Sequence, residues 1–522
     1  MQNAIEYSVL LGLEITPYVP NDDDLQPDET GPNESPDNYH RLARINLERY
    51  RRATPNGNGT LRFWRNEWYK YDGQCYRKID LDELKAKVGQ SIKEEFDRVN
   101  TYELANWSSD KKPPTVRNVS QGLVANVIFA TAQMCLLSGT VELNSWIDGT
   151  SKSNGGGRRY LAMRNGILNV DALLAGEQDY FRPHTPDWFS LTCLPFDFDP
   201  DAKCPRWFSF LRRNIEGDKE RIAILKEWFG YILFPDTSQQ KFMFLEGEGA
   251  NGKNVCLSAM IAMVGQNNCS HVQLEAFGKE FMLTTTLGKL LNVSSECSEM
   301  DSAAEGILKA MASGDRMTFN RKGIPPIEAL PTARLVIAAN VRPRFDDKSS
   351  GLWRRMILMP WRVTISESER VVGMDSVNWW IESGELPGIF NWALSGLHQL
   401  TTNGRFSKSA ICEAALNDYK QEVNPTKTFL LEHYHFSAGG FVKTKEMYEH
   451  YKEWAIESGY RPVSDRTFGR EVLRTFPGTT RERKGTKGIT GDGRYYAYVG
   501  IDSGSAEDAA EHSSQIDEEQ FV

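Results

Sequence analysis

The sequence has few cysteines and no long apolar run. Its eight cysteines stand singly, without a C-x-x-C pair or a Cys/His cluster, so we predict neither a zinc site nor a disulfide framework. Polar residues such as Asn126 and Glu142 interrupt the most apolar stretch, residues 122–143, which favours a buried helix over a membrane span. The N-terminus lacks the basic start of a signal peptide. Together these absences predict a reducing cytosol and no membrane association.

Basic residues are absent from two stretches of the chain. Residues 19–38 and 502–522 each carry seven acidic residues and no Lys or Arg. Removing these fourteen acids changes the net charge from −9 to +5, so the remainder is mildly basic and permits a nucleic-acid partner. Residues 20–38 have almost nothing to bury, and we expect them, like the acidic tail, to be disordered.

The chain is organised around a glycine-rich turn at residues 247–253. Four apolar residues, Phe242 to Leu245, predict a buried strand before it, and apolar periodicity predicts a helix from Val255 to about Val264 after it. Strand, G-x-x-x-x-G-K turn and helix together are typical of a phosphate-binding P-loop, although an ordinary glycine-rich loop can show the same letters. The predicted nucleotide-binding residues are Gly247, Gly249, Ala250, Asn251, Gly252, Lys253 and Asn254.

The turn predicts ATP binding with Mg²⁺, with one departure. Backbone N–H groups and the helix N-terminus would surround the phosphates, and Lys253 would neutralise the β- and γ-phosphates. Asn254 stands where Ser or Thr usually provides the hydroxyl that binds Mg²⁺. Its amide oxygen is a hard ligand that Mg²⁺ accepts. We therefore name Asn254 as a candidate metal ligand.

Two further apolar runs each end on a polar residue. Residues 289–296 close on Glu296, and residues 333–340 close on Asn340. A carboxylate at a strand end beside a P-loop can hold Mg²⁺ or activate the attacking water. We predict this role for Glu296, although Ser295 stands where an Asp usually precedes it. Asn340 would hydrogen-bond the γ-phosphate or the lytic water.

Two basic features follow in the same region. Arg354 and Arg355 could reach a γ-phosphate and stabilise transition-state charge, in a neighbouring subunit if the protein forms a ring. Surface salt bridges would produce the same pair. Alternating residues around Arg321 and Lys322 predict a hairpin with a basic tip, which could hold a DNA backbone in a ring pore or be a solvated turn.

In this order, these motifs resemble the superfamily 3 helicases, which are AAA+-type hexameric motors of viruses, phages and plasmids. More narrowly, they resemble the phage and plasmid primase-helicase family related to the poxvirus nucleoside triphosphatase-primase. Residues 165–171, 199–205 and 227–230 resemble the region that precedes the helicase in that family. The resemblance implies Walker A, Walker B, sensor and arginine-finger roles, in that order, for Lys253, Glu296, Asn340 and either Arg354 or Arg355.

The C-terminal sequence predicts a winged-helix domain. Two helical patterns, at residues 443–458 and 464–475, precede strand-and-turn sequence at 479–501. From Arg461 to Arg494 there are nine basic and four acidic residues. The predicted DNA contacts are Arg466, Arg470 and Arg474, which share one helix face, and Arg483 and Lys484 in the wing. A winged helix that docks on protein remains the alternative.

Aromatic and polar residues are mixed at 61–76 around turn signals at Asn66 and Asp72-Gly73, which predicts a β-meander. Its aromatics could stack on bases, but we favour core-facing side chains. The fold class is α/β: an AAA+-type P-loop ATPase core, an α+β N-terminal region and a C-terminal winged helix. The predicted boundaries are 1–55, N-terminal segment; 56–215, helicase-associated domain; 216–365, ATPase domain; 366–424, helical lid; 425–501, winged helix; and 502–522, acidic tail.

We expect an ATP-dependent DNA helicase of a phage or mobile element, working as a hexamer on single-stranded and forked DNA in the bacterial host cytoplasm. A primase or polymerase is a candidate partner. The roughly 55 residues before the helicase-like region are too few for a primase domain, so we expect no primer synthesis by this chain. The alternative is an origin-binding initiator that uses ATP as a switch, and a third reading is an AAA+ protein remodeller.

Overall fold

The computed structural model describes residues 34–50, 59–147, 159–295, 302–343, 345, 350–485, 487–488, 491–492 and 494–504. Most of the predicted disordered stretch, most of the acidic tail and Glu296 therefore lie outside the described residues. The chain forms two compact units, residues 1–198 and 199–522. Each unit is described by itself.

The first unit is a mixture of short antiparallel sheets and helices. Its helices are α1 (Tyr39–Glu48), α2 (Leu81–Ala105), α3 (Gln121–Met134) and α4 (Val170–Leu174). Its strands are β1 (Leu61–Trp64), β2 (Glu67–Tyr71), β3 (Tyr76–Ile79), β4 (Ser145–Trp146), β5 (Tyr160–Met163), β6 (Gly166–Asn169), β7 (Phe181–Arg182) and β8 (Trp188–Phe189).

Strands β1, β2 and β3 form the predicted meander. One of its faces places Trp68 opposite Ile79 and packs them on Leu42 of α1 and on Leu84 and Val88 of α2. The other face buries Trp64, Tyr69, Tyr71 and Tyr76 against Phe189. The meander aromatics therefore face the core, as we favoured, and do not form an exposed stacking platform.

The second unit begins with two helices and then alternates strands and helices. Its helices are α5 (Pro205–Asn214), α6 (Lys219–Tyr231), α7 (Lys253–Val264), α8 (Ser302–Ser313), α9 (Ser350–Trp353), α10 (Val377–Ser383), α11 (Leu386–Asn403) and α12 (Ala410–Val423). Its strands up to this point are β9 (Phe242–Glu246), β10 (Cys269–Ser270), β11 (Leu291–Ser295), β12 (Met317–Arg321), β13 (Ile324–Ala329), β14 (Arg334–Ala339) and β15 (Met356–Pro360).

Five of these strands form a parallel sheet in the order β10-β11-β14-β9-β15. Strand β14 is inserted between β11 and β9, so Ala339 pairs with Glu246 and Ala338 pairs with Ser295. Because the strands are parallel, their carboxyl ends lie at one edge of the sheet, where ligands bind in open α/β sheets. The last residues of β9, β11 and β14, which are Glu246, Ser295 and Ala339, lie at this edge, and Asn340 follows β14 there.

Helix α5 packs in the second unit, although we assigned it to the N-terminal domain that ends at residue 215. Its Trp207 is fully buried against Phe229, Trp380 and Trp392. Burial of one large aromatic side chain contributes roughly 2–3 kcal/mol. This contact ties α5 to the P-loop unit and explains why the first unit ends at Phe198.

The C-terminal part contains α13 (Pro425–His433), β16 (Tyr434–Lys443), α14 (Thr444–Glu457), α15 (Asp465–Thr475), β17 (Thr480–Lys484), β18 (Lys487–Gly488), β19 (Gly491–Asp492) and β20 (Tyr495–Ser503). Strands β16, β20 and β17 form an antiparallel sheet. Phe429, Tyr451, Phe468 and Tyr498 join the helices and the sheet in one core. The two helices and following strands match the predicted pattern, whereas α13 and β16 were not predicted.

Within the described ranges, no helix is both long and apolar enough to cross a membrane. The seven described cysteines are buried and free.

Candidate functional site

The glycine-rich turn runs from β9 directly into α7, which begins at Lys253. Gly252 has φ +91°, and a Cβ there would lie 2.2 Å from the Asn214 amide nitrogen, so both its conformation and its surroundings require glycine. Gly249 differs, because a Cβ there would meet no protein atom within 4 Å. Gly249 lines a cavity, and a side chain would take up its space.

Lys253 is the cation at the centre of this turn. It is only 5% exposed, and its ammonium donates to the carbonyl oxygens of Gly247 and Glu248, the latter at 3.2 Å. It also donates to Asn340 Oδ1 at 3.1 Å. The structure thus brings together two residues that lie 87 positions apart, as the parallel register requires. This contact places the predicted sensor beside the predicted phosphate-binding lysine.

Side chains from several elements hold the turn in place. Asn251 Nδ2 donates to the Trp361 carbonyl at 3.2 Å, and Asn214 Nδ2 donates to the Asn251 carbonyl at 3.0 Å. The backbone N–H of Ile365 donates to the Ala250 carbonyl at 2.9 Å. Ala250 has φ +61°, a left-handed conformation that costs free energy in a residue with a Cβ. These bonds compensate for that strain and keep the turn open.

A cavity of about 560 Å³ adjoins the turn. Residues 249–255 and Asn340 line one side, and residues 365–375 line another. Phe210 and Arg213 of α5 complete the wall. Phe210, Arg213 and the lining residues between 365 and 375 were not predicted from the sequence, because no spacing relates them to the glycine-rich turn. The volume and the mixture of apolar and polar walls suit a small-molecule ligand.

The charge of Lys253 is sensitive to this environment. Burial lowers the pKa of the Lys253 ammonium below its ordinary value, and the nearby Glu246 carboxylate partly opposes the shift. Glu246 itself pairs with Arg342, which also binds Glu422 of α12 at 2.6 Å. An anion in the cavity would favour the protonated lysine. The site therefore suits a negatively charged ligand.

The described residues offer fewer candidate contacts for a metal ion than for a phosphate group. Asn254 lines the cavity and is exposed, so its amide oxygen is available to a hard cation. Glu296, the other predicted ligand, lies outside the described residues. Among the residues that the structure describes, no group of three or more His, Cys, Asp or Glu side chains could hold a metal ion. The donor set fits one protein contact to a cation that is bound mainly by phosphates.

Arg354 and Arg355 lie at the opposite edge of the sheet from Lys253. The Arg355 carbonyl accepts from the N–H of Phe242, the first residue of β9, whereas the P-loop follows the last. At about 3.3 Å per residue, this strand separates the two edges by roughly 16 Å. Arg354 is exposed, and Arg355 donates to Ser313 at 2.7 Å and to the Gly351 carbonyl at 2.6 Å. Neither arginine joins the cavity of its own chain.

The predicted basic hairpin forms, with β12 and β13 antiparallel. Gly323, at φ +76°, makes the turn. Arg321 does not extend from the tip: it is 7% exposed and donates to the Pro325 carbonyl at 2.7 and 3.0 Å. Lys322 is exposed and is the cation of the tip itself. The bulge between Phe319 and Arg321 turns the arginine inward.

The C-terminal helix α15 presents the predicted basic face. Arg466, Arg470 and Arg474 are all exposed, while Phe468 and Val472 on the other face are fully buried. Strand β17 adds Arg483, which is exposed, and Lys484, whose ammonium lies 4.6 Å from the Phe441 ring centroid. The arrangement leaves a helix and an adjoining strand with cations at the surface.

Three family models match separate parts of this chain. Residues 47–215 match "D5 N terminal like", which supports a relation to phage primase-helicases in the N-terminal region. Residues 245–355, which hold the P-loop and Asn340, match "Family of unknown function (DUF5906)". Residues 424–504 match "RFX DNA-binding domain", which supports DNA binding by the C-terminal part.

Solved structures of another protein, NrS-1, are also similar. "The A form apo structure of NrS-1 C terminal region-CTR" is 11% identical with a TM-score of 0.46, and the match covers 88% of this chain and 98% of that one. "The apo structure of NrS-1 C terminal region (305-718)" is 11% identical with a TM-score of 0.46, covering 90% and 100%.

Proposed function

We propose that this protein is an ATP-dependent DNA helicase of phage-type replication, and that it works as a ring of identical subunits. The observation that carries the proposal is the 3.1 Å contact between Lys253 and Asn340 at the carboxyl edge of a parallel sheet, beside a cavity of about 560 Å³. The basic surface of α15 and the family match at residues 424–504 support DNA as the partner.

In this proposal the protein residues divide the work of hydrolysis. The backbone of residues 249–252 surrounds the phosphates, and Lys253 exchanges its carbonyl contacts for a phosphate oxygen. Asn340 then orients the attacking water or reports the γ-phosphate. Bound Mg²⁺ would supply charge neutralisation between the β- and γ-phosphates, with Asn254 and Glu296 as its protein contacts. Phe210, which lines the cavity, is our candidate for contact with the base.

The position of Arg354 supports a ring. An arginine finger that serves a neighbouring subunit must lie away from the nucleotide of its own chain. Arg354 is exposed at the amino edge of the sheet, whereas Lys253 is buried at the carboxyl edge. In a head-to-tail ring, this edge of one subunit would face the cavity of the next. Hydrolysis would then depend on assembly.

The deciding experiment is strand displacement on a forked duplex with ATP and Mg²⁺. We expect the wild type to unwind and Lys253→Ala to fail, because a buried lysine that binds phosphates cannot be replaced by a methyl group. Lys279→Ala, at an exposed lysine of the same unit, is the matched control. Unwinding by Lys253→Ala at the wild-type rate would refute the proposal.

The second candidate is an initiator that binds a DNA origin and uses ATP as a switch. Asn254 and Ser295, which replace the usual metal-handling residues, favour it because they predict slow hydrolysis. ATP hydrolysis and sequence-specific binding by residues 425–501, without strand displacement by the wild type, would support the initiator over the helicase.

A further inference from the structure

A basic cavity of about 510 Å³ lies in the first unit, apart from the features already assigned. It opens between the meander, the end of α1 and the start of α2. Five cations line it, Arg49, Lys70, Arg77, Lys78 and Lys87, against two acids, Asp72 and Glu83. The side chains that line it therefore carry a net charge of +3.

Two of these cations form a like-charge pair across the sheet. Lys70 of β2 lies directly opposite Arg77 of β3, on the face that buries Trp68 and Ile79. Like charges directly opposite each other destabilise a sheet. Asp72 pairs with Arg77 at 3.2 Å, and one carboxylate cannot neutralise both cations. The protein thus keeps a repulsive pair at the wall of a cavity.

Lys70 lacks an acidic partner within the described part of the chain. Its half-buried ammonium lies 5.8 Å from the Tyr50 ring centroid. Arg49 and Lys87 line the same cavity as Tyr50, and both oppose the increase that burial causes in the Tyr50 pKa. The Tyr50 carbonyl accepts a hydrogen bond from the Thr60 hydroxyl at 2.8 Å, which helps to fix the position of Tyr50. Three cations from three elements therefore surround one aromatic side chain.

Lys78 pairs with Glu67, whose side chain is only 16% exposed. Two further ion pairs at the cavity are exposed: Arg49 pairs with Glu94, and Lys87 pairs with Glu83 on the same helix. Each of these four side chains is more than two-fifths exposed, and exposed pairs of this kind contribute little to stability. An incoming anion could displace Glu94 and Glu83 at small cost. The cavity can therefore present more positive charge than its resting contacts suggest.

We propose that this cavity binds the phosphate backbone of DNA, as a second contact in addition to the C-terminal basic helix. Once Glu94 and Glu83 are displaced, the five cations face Asp72 and Glu67, and the net charge of +3 matches about three phosphodiesters rather than a single phosphate ion. Release of counterions on neutralising such phosphates would provide the affinity. The proposal rests on the proposed function, since it assumes that DNA passes this unit, and it adds where the strand is held.

The test measures binding of the full chain to a labelled single strand across a series of salt concentrations. The variant Lys70→Gln/Arg77→Gln/Lys87→Gln should bind more weakly, and the slope of log K against log salt should fall by about 0.7 for each phosphate that the variant no longer neutralises. The control Lys85→Gln/Lys93→Gln/Lys111→Gln removes the same charge from exposed lysines of the same unit outside the cavity. It should keep most of the affinity.

Several outcomes decide whether the proposal holds. Lys70→Arg keeps the charge and should bind DNA as the wild type does. It therefore distinguishes an effect of lost charge from an effect of misfolding. Equal reductions in DNA affinity for the cavity variant and the lysine control would overturn the proposal. It would also be overturned if the cavity variant bound RNA more weakly than the wild type but bound DNA equally well. If inorganic phosphate at equal phosphate concentration displaces DNA completely, the cavity is a site for a free anion and the proposal is wrong.

The proposed function has a separate readout. Arg466→Gln/Arg470→Gln removes the C-terminal contact, and ATP hydrolysis by the wild type reports the motor. If only this C-terminal variant binds DNA more weakly, the cavity inference fails while the helicase proposal stands. A wild type that neither hydrolyses ATP nor binds DNA would overturn both.

Discussion

Asn340 Oδ1 accepts a hydrogen bond from the Lys253 ammonium at 3.1 Å. Lys253 is the first residue of α7, which follows β9, while Asn340 directly follows the neighbouring parallel strand β14. Lys253 is buried. A phosphate that enters the cavity would replace some of the hydrogen bonds that the Lys253 ammonium now donates. Asn340 would then lose its bond to the lysine or turn toward the phosphate. The pair therefore links occupancy of the cavity to the conformation of the β14 end.

We expect Asn340→Ala to lower kcat of ATP hydrolysis by about 10²-fold, the usual effect of removing one preorganised polar group from a reacting centre. ATP affinity should change much less, because Lys253 and the backbone remain. Phosphate release and binding of a fluorescent ATP analogue measure the two effects. Asn378→Ala, at an exposed asparagine of α10, is the control, and an effect confined to affinity would contradict the sensor role.

ATP affinity should fall as pH rises, and the fall should begin at a lower pH than it would if Lys253 had an ordinary lysine pKa. Burial lowers the pKa of free Lys253, and phosphate favours its protonated form. Above the pKa of the free protein, binding then requires proton uptake, and affinity can fall up to about tenfold per pH unit. Titration of the analogue from about pH 7 to 10 measures this effect. Lys253→Arg should flatten the profile, and parallel profiles for both proteins would exclude Lys253 as the titrating group.

By the same linkage, burial of Lys253 affects the nucleotide-free fold. Lys253 binds its proton more readily in the unfolded state between its lowered pKa and the ordinary lysine value of about 10.4, so its contribution to stability should rise with pH in that interval. Buried thiols such as Cys256, whose pKa burial raises, act in the opposite direction. The difference in thermal unfolding between the wild type and Lys253→Met isolates the lysine contribution, and a difference that does not change with pH would contradict it.

Mixed subunits test whether Arg354 acts in a neighbouring site. Arg354→Ala with Arg355→Ala should abolish hydrolysis and leave nucleotide binding intact, because both residues lie at the amino edge of the sheet. Mixing this variant with Lys253→Ala should restore part of the activity, since each protein supplies what the other lacks. Normal hydrolysis by the double variant would rule out a finger role, and no recovery on mixing would argue against action between subunits.

The two ion pairs that Arg342 makes, with Glu246 and with Glu422, should contribute unequally to the free energy of unfolding. Glu246 is 17% exposed and Glu422 is 55% exposed at the side chain. Glu246→Gln should cost roughly 2 kcal/mol, because it leaves Arg342 short of a shielded partner, while Glu422→Gln should cost less than about 1 kcal/mol. Chemical denaturation gives both values. Equal costs would mean that burial does not govern this network.

Removal of the basic face of α15 should weaken DNA binding in a salt-dependent way. Arg466→Gln with Arg470→Gln should reduce the slope of log K against log salt on duplex DNA by about 0.9 for each phosphate that the two arginines neutralise. Lys445→Gln with Lys452→Gln in α14 is the matched control. An unchanged slope in the arginine variant would favour a protein-docking role for this domain.

The sequence by itself determined the local parts of the site. The strand before the turn, the glycines and the helix after it are neighbours in the chain, and their pattern predicted β9 and α7 to within a few residues. The apolar runs that end at residues 295 and 340 predicted β11 and β14 for the same reason. The sequence predicted that Lys253 and Asn340 would both act on the phosphates, whereas the strand order that brings the two side chains into contact is seen only in the structure.

Only the tertiary structure decided which distant residues share a surface. Phe210 and residues 365–375 reach the cavity through packing of α5 and the chain after β15, which no spacing encodes. A bulge turns Arg321 inward, although alternation predicted an exposed cation. Register alone sets Lys70 opposite Arg77, and burial of Trp207 draws α5 into the second unit. Contacts of this kind are decided by packing across the whole fold, because tertiary interactions outweigh the helix and strand propensities of single residues.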